Sequence, residues 1–417
     1  MAIWHLNGGK RLEGACFVQG AKNAALPILA ASVVCPLETE LLNVPQLSDV
    51  EASLEILRCL GCTAVQQEND VYIDSRSLGS NTIPRRMMES MRSSVLFMGA
   101  LLARCGEVHL TLPGGCKLGA RPIDMHLDAM KALGASVEEN GCEIICRAER
   151  LRGAHIRLPY PSVGATENAM IAACAAEGET LITGAAGEPE IVDLQEYLRK
   201  AGAYISGAGT GTIRISGFEP ERRAGHRVIP DRIAAATFLC AAAACGGDIE
   251  LRGVDLRQFS RLQHFLKRAG CDIISSQRSV RLISDGKLSA VGCVSTGPYP
   301  EFPTDMQPLL MAALLKAHGR TEFVENVFDS RFGHAKELRR FGADISVEGR
   351  SASVWGVRSL RGAVVSAGDL RGGAAMIIAA LSADGESLIV DQGHIARGYE
   401  HLDHKLRYLG ADIYLEL

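Results

Sequence analysis

Leu60-Gly61-Cys62, Leu133-Gly134-Ala135, Ala201-Gly202-Ala203, Ala269-Gly270-Cys271, Phe341-Gly342-Ala343 and Leu409-Gly410-Ala411 are six versions of one signature. In each, an amphipathic helix ends at a glycine and a small residue opens a short apolar strand. Successive glycines lie 73, 68, 68, 72 and 68 residues apart, too regular for chance placement of the chain's 44 glycines. The chain therefore reads as six copies of a unit of about 70 residues.

Within a copy, the helix before the glycine has a period of about 3.6, with Val50, Leu54, Leu57 and Leu60 on one face in the first copy and Leu402, Leu406 and Leu409 likewise on one face in the last. The glycine is predicted to cap that helix in the left-handed conformation. A second strand follows the first, as in Asp70-Val71-Tyr72-Ile73, Thr212-Ile213-Arg214-Ile215 and Ser279-Val280-Arg281-Leu282. A polar loop then leads to an Ala-rich helix. The sixth copy stops at Leu417, and the strand-like opening Ala2 to Leu6 with the Ala-rich stretch from Lys22 supplies its missing half. The expected fold is α/β, with residues 22–229 as one domain and 1–21 with 230–417 as the other. Each domain holds three units, with its Ala-rich helices buried among sheets and a ligand cleft between domains.

At 417 residues, 47% hydrophobic and 22% charged, the chain can build full cores without disulfides or metals. Its charge of −4 is spread along the sequence, with no basic stripe to track a phosphate backbone, so nucleic acid is not an expected partner. Thirteen cysteines and an N-terminus without a basic-then-apolar leader point to reduced thiols and a cytoplasmic protein. Stretches such as Ala234 to Cys245 are too short to span a bilayer, so no membrane insertion is expected.

Aligning the copies exposes a second regularity at the start of each Ala-rich helix: Lys22-Asn23, Arg92, Ser162-Val163-Gly164, Asp231-Arg232, Asp305 and Asp369-Leu370-Arg371. Helix starts attract phosphate and carboxylate. Asp and Ser there can simply be N-caps, but Lys22, Arg92 and Arg371 oppose the helix dipole unless an anion sits between them. The other loop of each copy carries Asp49, Arg121, Glu190, Arg257, Arg331 and Arg397. Arg121, Arg331 and Arg397 suit bidentate recognition of anions, whereas Arg257 reads as a solvated charge.

One loop is long and glycine-rich, Leu112-Pro113-Gly114-Gly115-Cys116-Lys117-Leu118-Gly119-Ala120-Arg121-Pro122. Nearby cations favour the thiolate of Cys116 and make it the expected reactive cysteine. Cys62 and Cys271 resemble a metal pair, and Cys59-x-x-Cys62 a redox motif, yet they fit better as packing residues in the slot other copies fill with Ala.

Gly20-Ala21-Lys22-Asn23-Ala24-Ala25-Leu26-Pro27, Pro113-Gly114-Gly115-Cys116, Gly119-Ala120-Arg121-Pro122, Ser162-Val163-Gly164-Ala165-Thr166, Glu188-Pro189-Glu190-Ile191-Val192-Asp193, Phe302-Pro303-Thr304-Asp305-Met306-Gln307, Asp369-Leu370-Arg371 and Arg397-Gly398-Tyr399-Glu400 resemble the UDP-N-acetylglucosamine 1-carboxyvinyltransferase family over essentially the whole chain. The resemblance implies two inside-out α/β barrels and transfer of enolpyruvate from phosphoenolpyruvate to the sugar 3-hydroxyl by addition and elimination, in peptidoglycan precursor synthesis, with no metal or cofactor. It further implies Cys116 as proton donor and target of fosfomycin, and Asp305 as base near the sugar hydroxyl. Lys22, Arg92, Arg121, Arg331, Arg371 and Arg397 become the cationic cage, with Lys22 and Arg397 close to the chemistry. Asn23, Arg121, Pro122, Ile123, Asp124, Met125, Ser162, Val163, Gly164, Arg232, Asp305, Val327 and Asp369 complete the substrate contacts.

The family commonly has acidic residues where Ala234 and Ala396 stand and a cationic residue near Gly187, changes expected to weaken the orientation of Arg232 and Arg397. Two alternatives remain open at this level. A 3-phosphoshikimate enolpyruvyl transferase shares the six-unit fold but lacks the Pro-Gly-Gly-Cys loop, and a binding protein would hold UDP-sugar without turnover.

Overall fold

The structure, a computed structural model, describes residues 2–114 and 122–417. They group into two compact units: the chain up to Gln19 with Pro230 to Leu417, and the described residues between Gly20 and Ile229. Each unit has its own hydrophobic core.

In the unit of residues 20–229, three small-residue helices, α1 (Lys22–Ala31), α2 (Phe97–Cys105) and α3 (Val163–Ala173), pack on one another. In the other unit the same place is taken by α4 (Arg232–Cys245), α5 (Gln307–Ala313) and α6 (Leu370–Ser382). Alanine explains the burial, since helices bearing methyl groups approach closely enough to bury nearly every side chain, as in Ala234 to Ala244. The sheets flank these helices and alternate buried with half-buried or exposed residues, as Gly247–Arg252 does, so one face of each meets the core.

Most sheets repeat one plan, shown by Val364–Ala367, Glu386–Asp391, Ala2–Asn7 and Asp412–Glu416 in spatial order. The strands before and after α6 are parallel neighbours, Val365 opposite Ile389. The last two strands run antiparallel, Leu6 opposite Ile413. The N-terminal strand therefore completes the sixth copy, with Trp4 and Leu6 in the core and His5 stacked on Tyr414 at 4.3 Å. In the three-stranded sheet of Glu107–Thr111, Glu143–Arg147 and Ser136–Asn140, the parallel edge shrinks to a Thr82–His109 bridge.

At the two chain crossings the parallel partners are exchanged. The strand before α1, Leu12–Phe17, pairs with Gly247–Arg252 after α4, while Arg223–Arg227 before α4 pairs with Glu38–Leu42 after α1. Asp231 N–H donates to Gln19 O at 2.8 Å in one unit, and Ala21 N–H to Ile229 O at 2.7 Å in the other.

All six signature glycines are left-handed, with φ of +97, +95, +114, +108, +92 and +98° at Gly61, Gly134, Gly202, Gly270, Gly342 and Gly410. Cys62 N–H reaches Leu57 O at 3.0 Å and Gly61 N–H reaches Arg58 O at 3.0 Å, the paired bonds of a Schellman cap, and the bonds of Ala135, Cys271 and Ala411 repeat the first of them. No helix among the described residues is long and apolar enough to cross a membrane.

Candidate active site

A polar cluster surrounds Asp305 in the unit of residues 230–417. Asp305 lies in the short 3-10 turn Thr304–Met306 just before α5, and its oxygens face two arginines. Arg331 Nη2 donates to Oδ1 at 3.2 Å and Arg371 Nε to Oδ2 at 3.2 Å. The arginine side chains are 1% and 3% exposed but the Asp305 carboxylate is 30% exposed, so the acid is the accessible member. Arg331 is further fixed on Thr304 O at 2.9 and 3.1 Å, and Thr304 Oγ1 donates to Glu325 Oε2 at 3.0 Å. Glu325 also accepts from the backbone of Val327 at 2.8 Å and Phe328 at 3.0 Å, which ties Val327 to the same network.

Asp369 caps α6, accepting from Arg371 N–H at 3.1 Å and Gly372 N–H at 3.0 Å, and stands 3.9 Å from Arg331 Nη1. The Arg371 guanidinium lies over the Tyr399 ring at 5.5 Å. Burial works against its charge, but the charges of Tyr399, Asp305 and Asp231 raise its pKa still further above the arginine range. Arg371 Nη1 is buried with no acceptor among the described residues. Asp231 caps α4 through Ile233 N–H at 2.8 Å and Ala234 N–H at 2.9 Å, and Arg232 stacks on Tyr299 at 5.7 Å. Asp231, Asp369 and Ser162 are thus N-caps, the plain reading of those positions.

Arg397 closes the 3-10 turn Ile395–Arg397, half-buried. Asp391 accepts from His394 N–H at 2.7 Å and Ile395 N–H at 3.2 Å. Gln19 clamps the other side, donating to Gly398 O at 3.1 Å and accepting from Glu400 N–H at 2.8 Å. Ala396 is exposed, and this loop is anchored without a charge at that position.

The second cluster belongs to the unit of residues 20–229. Lys22, the first residue of α1, donates to Asp49 Oδ2 at 3.1 Å with both side chains nearly buried. The protein's own carboxylates thus answer the dipole argument for Lys22 and Arg371. Arg92 opens a 3-10 turn, Arg92–Leu96, rather than α2 itself, because the helix proper starts at Phe97; its Nη2 donates to Pro122 O at 3.3 Å. Ser162 caps α3 through Ala165 N–H at 3.4 Å, with Val163 and Gly164 half-buried in the first turn. Pro122, Asp124 and Asn23 are exposed and Met125 half-buried, but the Ile123 side chain is in the core and leaves only backbone for a ligand.

Cys116, Lys117 and Arg121 lie outside the described residues. Burial pushes the Cys62 and Cys271 thiols up to about 11, as suits packing residues. Among the described residues no group of His, Cys, Asp and Glu is arranged to hold a metal ion. Arg257 is 90% exposed and chelated by Asp255 at 2.6 Å, a solvated charge.

Sequence reasoning passed over four buried polar residues. Glu167 in α3 is held well above the usual carboxylate range by burial and then by the charges of Glu190 and Glu188. Asn168, next to it, donates to His126 Nδ1 at 3.0 Å, and burial, helped by Arg92, lowers the His126 pKa to about 4. His334 donates through Nδ1 to Arg331 O at 3.1 Å; burial, opposed by Asp369 and aided by Arg331, pushes it down to about 4. The signal was present in α3, since Thr166-Glu167-Asn168 interrupts an otherwise apolar helix.

The sequence matches the family described as EPSP synthase (3-phosphoshikimate 1-carboxyvinyltransferase) over residues 6–406. It is 44% identical over 413 residues to UDP-N-acetylglucosamine 1-carboxyvinyltransferase 2 of Caldanaerobacter subterraneus subsp. tengcongensis, covering 99% of both chains. Identity to UDP-N-acetylglucosamine 1-carboxyvinyltransferase of Trichlorobacter lovleyi is 45% over 409 residues, 98% of this chain and 97% of that one. Among solved structures, the enolpyruvyl transferase NikO from Streptomyces tendae aligns with a TM-score of 0.88 at 25% identity, covering 99% of this chain and 98% of that one. EPSP synthase from Acinetobacter baumannii shares the fold with a TM-score of 0.77 at 20% identity and complete coverage of both chains. With such identity along nearly its whole length, this chain belongs to the UDP-N-acetylglucosamine 1-carboxyvinyltransferase family of enolpyruvyl transferases.

Proposed function

We propose that this enzyme transfers the enolpyruvyl group of phosphoenolpyruvate to the 3-hydroxyl of UDP-N-acetylglucosamine, releasing phosphate, as the first committed step of peptidoglycan precursor synthesis in the cytoplasm. The observation that carries the reading is Asp305, an accessible carboxylate oriented by two buried guanidiniums, one with a nitrogen that has no acceptor among the described residues. Such a group can take a proton from a hydroxyl while the arginines hold a phosphate or carboxylate beside it.

In this reading the hydroxyl oxygen bonds to C2 of phosphoenolpyruvate, Asp305 takes its proton and Cys116 gives a proton to C3. The tetrahedral ketal then loses the C3 proton and inorganic phosphate, which restores the double bond. Lys22, Arg92, Arg121, Arg331, Arg371 and Arg397 neutralise the anionic groups, and Asn23, the 122–125 segment, Ser162 to Gly164, Arg232, Val327 and Asp369 hold the nucleotide sugar.

Purified protein is expected to release phosphate only with both substrates present. Release with shikimate 3-phosphate instead, or tight UDP-sugar binding without release, would overturn the reading. Fosfomycin is expected to add once, at Cys116, as read by peptide mass mapping; label on Cys59 or Cys62 would refute that assignment.

A further inference from the structure

Gln19 closes the N-terminal segment of the 230–417 unit, and its side chain, only 6% exposed, is engaged with the loop that carries Arg397. Its Nε2 donates to Gly398 O at 3.1 Å and its Oε1 accepts from Glu400 N–H at 2.8 Å, so one amide serves the main-chain groups on both sides of Tyr399. The two bonds fix the orientation of the amide, since swapping its ends would set donor against donor and acceptor against acceptor. The backbone of Gln19 is engaged as well, its carbonyl accepting from Asp231 N–H at 2.8 Å beside the cap of α4. Gly398 and Glu400 are buried, so removing the amide takes a partner from two main-chain groups that water does not reach freely.

The loop held in this way bears on two arginines at once. Gly398 follows Arg397 directly, and a Cβ built on it would lie 2.7 Å from Leu370 Cδ2, so the backbone here meets the first turn of α6 with no room to spare. Tyr399 is 4% exposed; its hydroxyl lies 2.8 Å from Thr237 Oγ1 and its ring under the Arg371 guanidinium at 5.5 Å. Asp391 holds the near flank of the loop through His394 and Ile395 N–H, and Gln19 holds the backbone at the far flank. We propose that Gln19 is a positioning residue for phosphoenolpyruvate binding: it sets the backbone at 398–400 and so aims Arg397 and, by way of Tyr399, Arg371 at the phosphate and carboxylate of that substrate. The inference rests on the reading of those two arginines as holders of the anionic substrate.

The test is steady-state phosphate release with each substrate varied in turn, for wild type, Gln19→Met and Gln19→Glu, with thermal unfolding as the control for folding. Methionine keeps the length and loses both bonds, so Q19M is expected to raise KM for phosphoenolpyruvate about 10-fold and to leave KM for UDP-N-acetylglucosamine within about twofold. Q19E keeps the acceptor for Glu400 N–H and loses the donor to Gly398 O, so its KM for phosphoenolpyruvate should fall between. A purely structural part would lower Tm and move both KM values together or neither, and either result overturns the inference. Should Q19M not fold, Q19E decides by the same split. Binding of inorganic phosphate, measured by calorimetry, separates this inference from the reaction itself. If wild type turns over no phosphoenolpyruvate, the proposed reaction fails, and Q19M must still bind inorganic phosphate about 10-fold more weakly than wild type; equal binding, or none in either protein, overturns the role of Gln19.

Discussion

Asp305 shares its two oxygens between Arg331 and Arg371, so replacing it by Asn keeps the shape and removes both the base and the charge that the arginines match. D305N is expected to lower kcat by about 10²–10⁴-fold, read by phosphate release at saturating substrates. Glu167 offers a different experiment, on stability. Its folded pKa is raised, so the stability it contributes is complete below the unfolded glutamate pKa of about 4.3 and falls as pH rises toward the folded value. Glu167→Gln removes that dependence. The gain in Tm of E167Q over wild type should be larger at pH 8 than at pH 5, and an equal or reversed difference would contradict a protonated Glu167. Legibility at this scale was partial. The recurrence of charges at equivalent loops singled out Asp305, Arg331 and Arg371, but nothing in their spacing said that the arginines would close on the aspartate.

Each helix that ends in a signature glycine depends on one left-handed residue, and the six do not cost the same to replace. Gly134 has open space where a Cβ would go, so Gly134→Ala carries only the backbone penalty of about 1–2 kcal/mol. At Gly202 the added carbon would lie 1.9 Å from Glu219 O, and Gly202→Ala should destabilise more than G134A in urea unfolding. The cap was readable because its requirement is local: only a residue without a Cβ takes that conformation freely. Helix starts were less readable. Arg92 was aligned with true helix starts, yet its turn is 3-10, and Asp305 likewise precedes its helix by two residues.

The two units differ in how continuous they are along the chain. Residues 20–229 contain all the strands their described sheets use, whereas residues 230–417 borrow Ala2–Asn7 as an internal strand and Leu12–Phe17 as an edge. A 20–229 fragment is therefore expected to fold alone, and a 230–417 fragment to need residues 2–19 added, as followed by circular dichroism and limited proteolysis; cooperative folding of 230–417 by itself would contradict the pairing.

By itself the sequence determined the number of copies, their helix caps, the completion of the sixth copy by the N-terminus and the positions where charge collects, because all of these follow from comparing repeats of a unit of about 70 residues. Only the tertiary structure decided that Asp305 sits on Arg331 and Arg371, that Asn168 fixes His126, and that the strands flanking α1 and α4 trade partners. Those contacts join residues dozens to hundreds of positions apart. Their geometry is set by how closely the small-residue helices pack, a property of the assembled core that no local period carries.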